Sequence, residues 1–434
     1  MHNILIISYY WPPSGGGGVQ RWLKFTKYLP EFGVNPIVFT PENPTFAFRD
    51  ESLLSDVGEE LEVIKFPIWE PYKLLPGKSK PSKKSGQAFD NENRTLLQEL
   101  IVWARGNMIV PDPRVFWVRP SVKFLTTWLK DRNIDMIITT GPPHSMHLIG
   151  KKLKKKTGIP WIADFRDPWS EWHQLRHLKV SKPVLKVHRH LEKTIFKNAN
   201  AVITVSPGMA DDLTRLGSKN VKVVSNGFDH EDIPTSLNQL KPDKFLISYV
   251  GTIDDLRDPK PFLKALKMWL DENPERLEET EMRIHGIISE SFFGGMLKDK
   301  MLSEVVKIGE YLSHDQVFNL VGKSAALLLL LSKFGNSKGF LTGKLFEYIA
   351  SGRPILGVID DTGDAADLIR TGKYGWVADP DDILSIKLNI EKAYQEYKQQ
   401  KNNYEIRIDS PYSRKNLSKK LSEIIDEELV KVKS

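Results

Sequence analysis

Lys244-Phe245-Leu246-Ile247-Ser248-Tyr249-Val250-Gly251 is an apolar run that stops at a glycine, and the helix-periodic stretch Pro261–Leu270 follows it. The same order opens the chain. Asn3–Ser8 is an apolar run, Pro12-Pro13-Ser14-Gly15-Gly16-Gly17-Gly18 is a turn, and Val19–Leu29 has helical spacing. A strand buried on both faces needs a continuous apolar run, and parallel strands need a helical return between them. Further strands are expected at Asn35–Thr40, Glu62–Phe66, Met136–Thr140, Pro160–Asp164, Ala201–Val205 and Val221–Val224. After the second start they continue at Met282–His285, Val305–Ile308, Ala325–Leu331 and Pro354–Val358. Strands alternating with helices give an α/β chain with two successive doubly wound sheets. The two halves share this pattern and no sequence repeat. The joint is expected near Gln239–Asp243, with domains at 1–240 and 241–410. Leu417, Leu421, Ile424, Ile425 and Leu429 give the tail, 411–434, one apolar helical face.

A length of 434 residues suits two domains, and 40% apolar with 27% charged residues excludes whole-chain disorder. Cysteine is absent, which excludes a disulfide framework, a thiolate metal site and a thiol nucleophile, and suits a reducing compartment. Met1-His2-Asn3 before a short strand lacks the charged start and long apolar core of a secretory signal. The densest apolar run, Ala325–Leu331, falls far short of the ~18 residues of a spanning helix. A cytoplasmic protein is therefore expected.

The net charge of +7 is unevenly placed. Residues 1–240 carry 33 Lys and Arg against 24 Asp and Glu, and the remainder carries 29 against 31. The excess centres on 151–200, with 13 basic and 4 acidic residues. Such a patch suits an anionic membrane, nucleic acid or a phosphorylated substrate. Lys151-Lys152-Leu153-Lys154-Lys155-Lys156 also reads as a plain solvated helix face. Residues 72–95 are polar, basic and aperiodic, and are expected to form a mobile loop in the first domain.

Four stretches carry candidate chemistry. Gly17 and Gly18 let the backbone approach a ligand at the start of a helix, though the spacing is not the dinucleotide fingerprint. Gly251-Thr252 with Arg257 combines a glycine turn and a guanidinium, which grips a diphosphate bidentately. Gly339-Phe340-Leu341-Thr342-Gly343-Lys344-Leu345-Phe346-Glu347-Tyr348 is the most informative. Thr342 or Gly343 can cap a helix whose N–H groups meet phosphate oxygens. Lys344 and Glu347, three apart, share a face, so one supplies phosphate charge and the other can accept from a ribose diol. Lastly, His144 and Asp164-Phe165-Arg166-Asp167 both follow strands, at the edge that carries the glycine turn. His144 and Asp167 are candidate acid/base groups. Asp164 and Asp167 lack a third ligand at a telling spacing, so no metal site is expected. Asn226-Gly227-Phe228-Asp229 ends a strand as a turn.

Together these residues resemble the retaining GT-B glycosyltransferases of family 4 over essentially the whole length. The resemblance rests on Gly17-Gly18, Ser206-Pro207, Asn226-Gly227-Phe228-Asp229, Gly251 with Arg257, and Lys344-Leu345-Phe346-Glu347-Tyr348 leading into Gly352-Arg353-Pro354. It implies two Rossmann-like domains facing across a cleft, with the tail helix crossing back to the first. The donor nucleotide sugar would sit mainly in the C-terminal domain, on Gly251, Thr252, Thr342, Gly343 and Glu347, with Gly17 and Gly18 of the N-terminal domain beside its diphosphate. Arg257 and Lys344 would serve the diphosphate, with Arg166 and Asn226 on the acceptor side. No cofactor or metal is implied. The implied acceptor is a saccharide or a lipid-linked carrier, in cell-surface polysaccharide synthesis, and the basic excess of the first half adds the expectation that it is met at an anionic membrane. Three positions depart from the family pattern. Thr252 stands where many members have a second arginine, Gly339 where they have the first glutamate of a pair, and Arg166 about where many have a histidine.

Three rival readings are a sugar-nucleotide epimerase, a non-catalytic nucleotide-sugar-binding subunit and a nucleic-acid-binding module. The epimerase would need cleft carboxylates, for which Asp164 and Asp167 are the candidates. The nucleic-acid module lacks an aromatic ladder among the lysines and any RNA-recognition or helix-turn-helix signature.

Overall fold

A computed structural model describes residues 1–433 apart from 46–48, 71–95, 173, 289–292, 294, 311, 313, 334, 336, 400–405 and 408. The expected mobile loop at 72–95 lies outside the described residues.

The chain divides into two compact units, Met1–Ser225 with Arg414–Ser434, and Asn226–Ser413. Among the described residues the first holds seven strands: β1 His2–Ile7, β2 Val34–Pro41, β3 Glu62–Phe66, β4 Met136–Gly141, β5 Trp161–Phe165, β6 Ala201–Thr204 and β7 Val221–Val223. Their order is β3-β2-β1-β4-β5-β6-β7, and every pairing is parallel. The second unit holds β8 Phe245–Val250, β9 Thr280–His285, β10 Val306–Gly309, β11 Ala326–Leu330, β12 Ile355–Val358 and β13 Gly375–Ala378. Their order is β10-β9-β8-β11-β12-β13, again all parallel. Both sheets reverse direction beside their first strand, the Rossmann-like arrangement.

The apolar runs are explained by burial on both faces. Along β1, Leu5 and Ile7 face one core layer, while Ile4 and Ile6 face the other. The helices Val115–Trp128 and Ser145–Thr157 cover the first layer. The helix Gly17–Tyr28 and the tail helix Arg414–Lys433 cover the second. The tail helix therefore returns to the first unit, and Leu417, Leu421, Ile424, Ile425 and Leu429 are all buried there. In the second unit Leu327 and Leu329 pack with Leu345, Phe346 and Ile349, while Leu328 and Leu330 join Phe245 and Ile247 on the opposite side.

The domain boundary differs from the sequence expectation. The units divide at Ser225/Asn226 and Ser413/Arg414, not at 240/241 and 410/411. Residues 226–240 carry no long apolar run, but Phe228, Ile233 and Leu237 are buried in the second unit's core. The carbonyls of Leu240 and Gly322 accept from the buried Arg353 guanidinium, which ties this segment to the second sheet. Phe228 N–H donates to the Tyr412 carbonyl. At this boundary the charge split is wider: the first unit carries 39 Lys and Arg against 25 Asp and Glu, the second 23 against 30.

Candidate functional site

In a doubly wound sheet, ligands bind beyond the C-terminal ends of the strands where the order reverses. In the second unit that point lies between β8 and β11. Gly251 follows β8 directly, and its N–H donates to the His285 carbonyl at 2.7 Å. A Cβ at Gly251 would fall on Lys344 Nζ, so any side chain there would make the lysine swing away from this strand end. Lys344 Nζ donates to the Val250 carbonyl and lies 5.4 Å from the centre of the Tyr249 ring. The Tyr249 hydroxyl donates to the Thr252 carbonyl at 2.7 Å. Burial lowers the Lys344 pKa to about 8, with Arg257 adding to the fall, while Glu347 and Asp254 oppose it.

Arg257 sits at the same strand end. Its guanidinium donates to Asp254 Oδ2 at 2.6 Å, and Asp254 also accepts from the Leu256 N–H. Asp254 thus closes the turn that presents the guanidinium. Thr342 is the N-cap of the helix Gly343–Ser351, but its side chain makes no capping bond, and Thr342 Oγ1 is buried without a hydrogen-bond partner. The first N–H groups of this helix are left uncapped by side chains, which suits an anion. Glu347, one turn after Gly343, is exposed on the face it shares with Lys344. The structure therefore gathers Gly251, Thr252, Arg257, Lys344 and Glu347. Gly339 ends the short turn Ser337–Gly339, held by the Ser337 hydroxyl donating to Asp360. Sequence reading missed Tyr249 and Asp254. The signal for Asp254 was its spacing of three before Arg257, an Asx turn closing on its own arginine.

In the first unit the reversal point lies between β1 and β4. The helix Gly17–Tyr28 starts from Gly16 at φ +95°, a left-handed value that favours glycine. Arg166 clamps this helix start to the turn after β4. It donates to the Gly18 carbonyl at 2.9 Å and to the Pro142 carbonyl at 2.6 Å. A Cβ at Gly18 would press on Arg166 Nη1 at 2.9 Å. Arg166 is thus engaged by main-chain carbonyls on both terminal nitrogens.

Asp164 is withdrawn from chemistry. Its carboxylate is fully buried and accepts from Arg21 Nη2 at 3.1 Å, Trp22 Nε1 at 2.7 Å and Thr140 Oγ1 at 2.9 Å. His144 is 5% exposed and stacks on Trp169 with ring centres 5.0 Å apart. Both ring nitrogens are shielded from solvent, so the ring is enclosed at the edge of β4. Burial, and then the neighbouring His147, hold its pKa well below the usual histidine range. Asp167 is partly buried beside Arg166. Desolvation raises its pKa, Arg166 opposes this, and Asp164 adds to it. Asn226 is partly exposed and is the first residue of the second unit, so it lies outside the unit that holds Arg166. Lys154 donates to the Asn198 carbonyl and Asn200 Oδ1, and so leaves the solvated lysine face. Among the described residues no group of three or more His, Asp or Glu side chains is placed to hold a metal ion.

The sequence model of Glycosyltransferase Family 4 matches residues 15–232. The chain belongs to glycosyltransferase family 4. The match begins within the glycine turn, takes in β2 to β7 and ends short of the Gly343–Ser351 helix. No curated protein matches this glycosyltransferase. Among solved structures it is similar to sucrose-phosphate synthase from Thermosynechococcus elongatus, with 12% identity, TM-score 0.62, and 99% of this chain and 100% of that one covered. It is also similar to S. aureus TarM in complex with fondaparinux, alpha-GlcNAc-glycerol and UDP (10% identity, TM-score 0.56, 100% and 99% covered). A Listeria monocytogenes protein described as a UDP-N-acetylglucosamine 2-epimerase shares the architecture at 11% identity and TM-score 0.54, with 99% and 97% covered. Identities this low establish the shared fold, two Rossmann-like domains of the GT-B class.

Proposed function

We propose that this glycosyltransferase moves a sugar from a nucleotide diphosphate sugar, held by the second domain, to a hydroxyl of a saccharide or lipid-linked acceptor taken by the first. The observation that carries the reading is the meeting of Lys344, Arg257 and an uncapped helix start at the end of β8, where Lys344 Nζ lies against Gly251. A diphosphate is the group that such fixed positive charge stabilises best. Glu347 accepts from the donor ribose. Lys344 exchanges the Val250 carbonyl for a phosphate oxygen. Arg166 acts as a positioning residue that holds the glycine turn.

Transfer proceeds with retention. The bond from the anomeric carbon to the diphosphate oxygen breaks while the acceptor hydroxyl attacks from the same face, and the hydroxyl proton leaves with the departing phosphate. Positioning and charge stabilisation supply most of the acceleration. Neither a protein nucleophile nor a metal belongs to this reading, and activity is expected to survive a chelator. The proposed setting is cell-surface polysaccharide synthesis at the inner face of a membrane.

The TarM complex, which contains UDP, supports a nucleotide-binding role for the fold, and the epimerase neighbour marks the rival. Of the two carboxylates available to an epimerase, Asp164 is fully engaged in a buried ion pair, which leaves Asp167 alone. The test is incubation with a panel of nucleotide diphosphate sugars, with and without acceptors. Release of the nucleoside diphosphate, dependent on an acceptor, supports transfer, and an axial or equatorial anomeric product like the donor's supports retention. A new sugar nucleotide formed without acceptor would establish the epimerase instead.

A further inference from the structure

The helix Leu96–Met108 breaks the rule that a water-facing helix surface is polar. At about 100° per residue, Glu99, Val102 and Gly106 share one face. That face is docked. A Cβ at Gly106 would collide with the Leu178 carbonyl, and Glu99 pairs with Lys179 at 2.9 Å. Nearby, Asn107 Nδ2 donates to the Lys179 carbonyl and the Ser181 N–H donates to Asn107 Oδ1. The opposite face is formed by Leu100, Ile101, Ala104 and Met108, while Trp103, four residues after Glu99, lies on the flank of the docked face. Leu100 is 59% and Met108 76% exposed, and Ile101 and Trp103 are exposed as well. No charged residue lies at the centre of this face.

We infer that the Leu96–Met108 helix is an interfacial anchor that lays its apolar face into an anionic phospholipid surface. A short helix docked on one side and apolar on the other is built to lie in a membrane plane. Charge selects the lipid class. The unit that carries the helix holds 39 Lys and Arg against 25 Asp and Glu, so it is drawn to an anionic leaflet while the second unit, at 23 against 30, is not. No described helix is long and apolar enough to span the bilayer, which leaves surface insertion as the mode this helix supports. The inference deepens the membrane-proximal reading of the acceptor. Its test uses vesicles free of donor and acceptor, so its failure leaves the transferase reading untouched.

The experiment is flotation of the full chain with phosphatidylglycerol vesicles and with phosphatidylcholine vesicles, at low and high salt. The wild type is expected to float with phosphatidylglycerol at low salt and at least tenfold less with phosphatidylcholine. The triple variant Leu100→Ser, Ile101→Ser, Met108→Ser is expected to lose at least tenfold of that binding. These side chains are exposed, and an unchanged circular dichroism spectrum and melting temperature show that the variant is folded. As a second reading, vesicles shift the wild-type tryptophan emission to the blue, and Trp103→Phe removes most of that shift. Absence of wild-type flotation, or equal flotation by the triple variant, overturns the inference. So does a concentration-dependent dimer that the triple variant converts to monomer, because a second copy would then cover this face.

Discussion

Arg21 and Asp164 form an ion pair with no solvent exposure on either side chain, 143 residues apart in the chain and joined at 3.1 Å across the first sheet. Trp22 Nε1 and Thr140 Oγ1 complete the carboxylate, and Arg21 Nη1 donates to the Ser225 carbonyl at the last residue before the second unit. The pair links the glycine-turn helix, β5 and the exit from the first unit. Breaking a buried pair from one side leaves an uncompensated charge, typically at about 3–5 kcal/mol. Asp164→Ala is expected to lower the unfolding free energy by that order. The double change Arg21→Met, Asp164→Leu should recover much of the loss. A single variant as stable as wild type in a urea titration would contradict the pillar role.

Lys344 makes donor binding pH-dependent. Its pKa lies near 8 because burial disfavours the ammonium, so the free enzyme loses this charge as pH rises through 8. A bound diphosphate restores the proton. Donor affinity is therefore expected to fall about tenfold between pH 7 and pH 9, where only a minor fraction of the free amine stays protonated. Lys344→Met should bind weakly at both pH values and lose the slope. Calorimetry in two buffers of different ionisation enthalpy also reads the proton taken up. An affinity flat from pH 7 to 9 would remove Lys344 from the diphosphate.

Buried histidines set the acid limit of the first domain. Burial lowers His147 to about 3 and His188 to about 4, and holds His144 well below its ordinary value. All three are neutral when folded and protonate on unfolding near pH 6.5. Their contribution is complete above pH 6.5 and is lost as pH falls below it, each histidine costing about 1.4 kcal/mol per pH unit. Desolvation raises Asp167 and Glu192, which works the other way as pH nears the ordinary carboxyl range. His147 stacks on Phe165 at 4.4 Å, so His147→Phe keeps a ring there and removes one titrating group. The variant should show a shallower loss of stability between pH 6.5 and 5 in urea titrations. An unchanged slope would mean that His147 is not neutral in the fold.

The tail helix is part of the first core. Leu421 has no exposure and packs with residues from β1, β4 and the Gly17–Tyr28 helix. Leu421→Ala is expected to cost about 2–5 kcal/mol, the range for emptying a buried leucine site. The loss should appear in the unfolding of the first domain, followed by hydrogen exchange at β1 and β4. Loss confined to the second domain's amides would contradict the assignment of the helix.

Much of the architecture was legible because its strands are buried on both faces. Runs such as Ala325–Leu331 have no polar alternation to confuse with a surface helix, and twelve of the thirteen strands among the described residues lie at expected strand positions, although outer strands such as β9 and β10 carry polar residues and are only partly buried. β13 was missed because it is four residues long and opens with a glycine. The Leu96–Met108 helix was missed because its exposed face is apolar, so helical alternation is weak. The boundary moved because Phe228, Ile233 and Leu237 are single anchors separated by polar residues. At the site, Lys344, Glu347 and Gly251 were legible from spacing alone. The fates of Asp164 and Arg166 were not, because Arg21 and Gly18 meet them only after folding.

The turnover role of Arg257 follows from its position beside Lys344. Removing one group that stabilises developing charge typically costs 10²–10³ in turnover, by order of magnitude. Arg257→Ala is expected to lose about that much in kcat, and Asp254→Asn less, since it loosens the turn and keeps the guanidinium. Steady-state assays on the donor and acceptor found by screening separate the two. Normal turnover by Arg257→Ala would place the leaving-group charge elsewhere.

If the second domain holds a nucleotide diphosphate sugar through the Gly343–Ser351 helix, as proposed, Glu347 is the side chain on which donor affinity depends. Calorimetric titration of wild type and Glu347→Ala is made with UDP, GDP, ADP and dTDP sugars. At least one donor is expected to bind the wild type, and Glu347→Ala to weaken that binding by about 1.5–3 kcal/mol, the range for hydrogen bonds to a charged group. Equal affinity in wild type and variant, or no binding by any of the four donor classes, would contradict it.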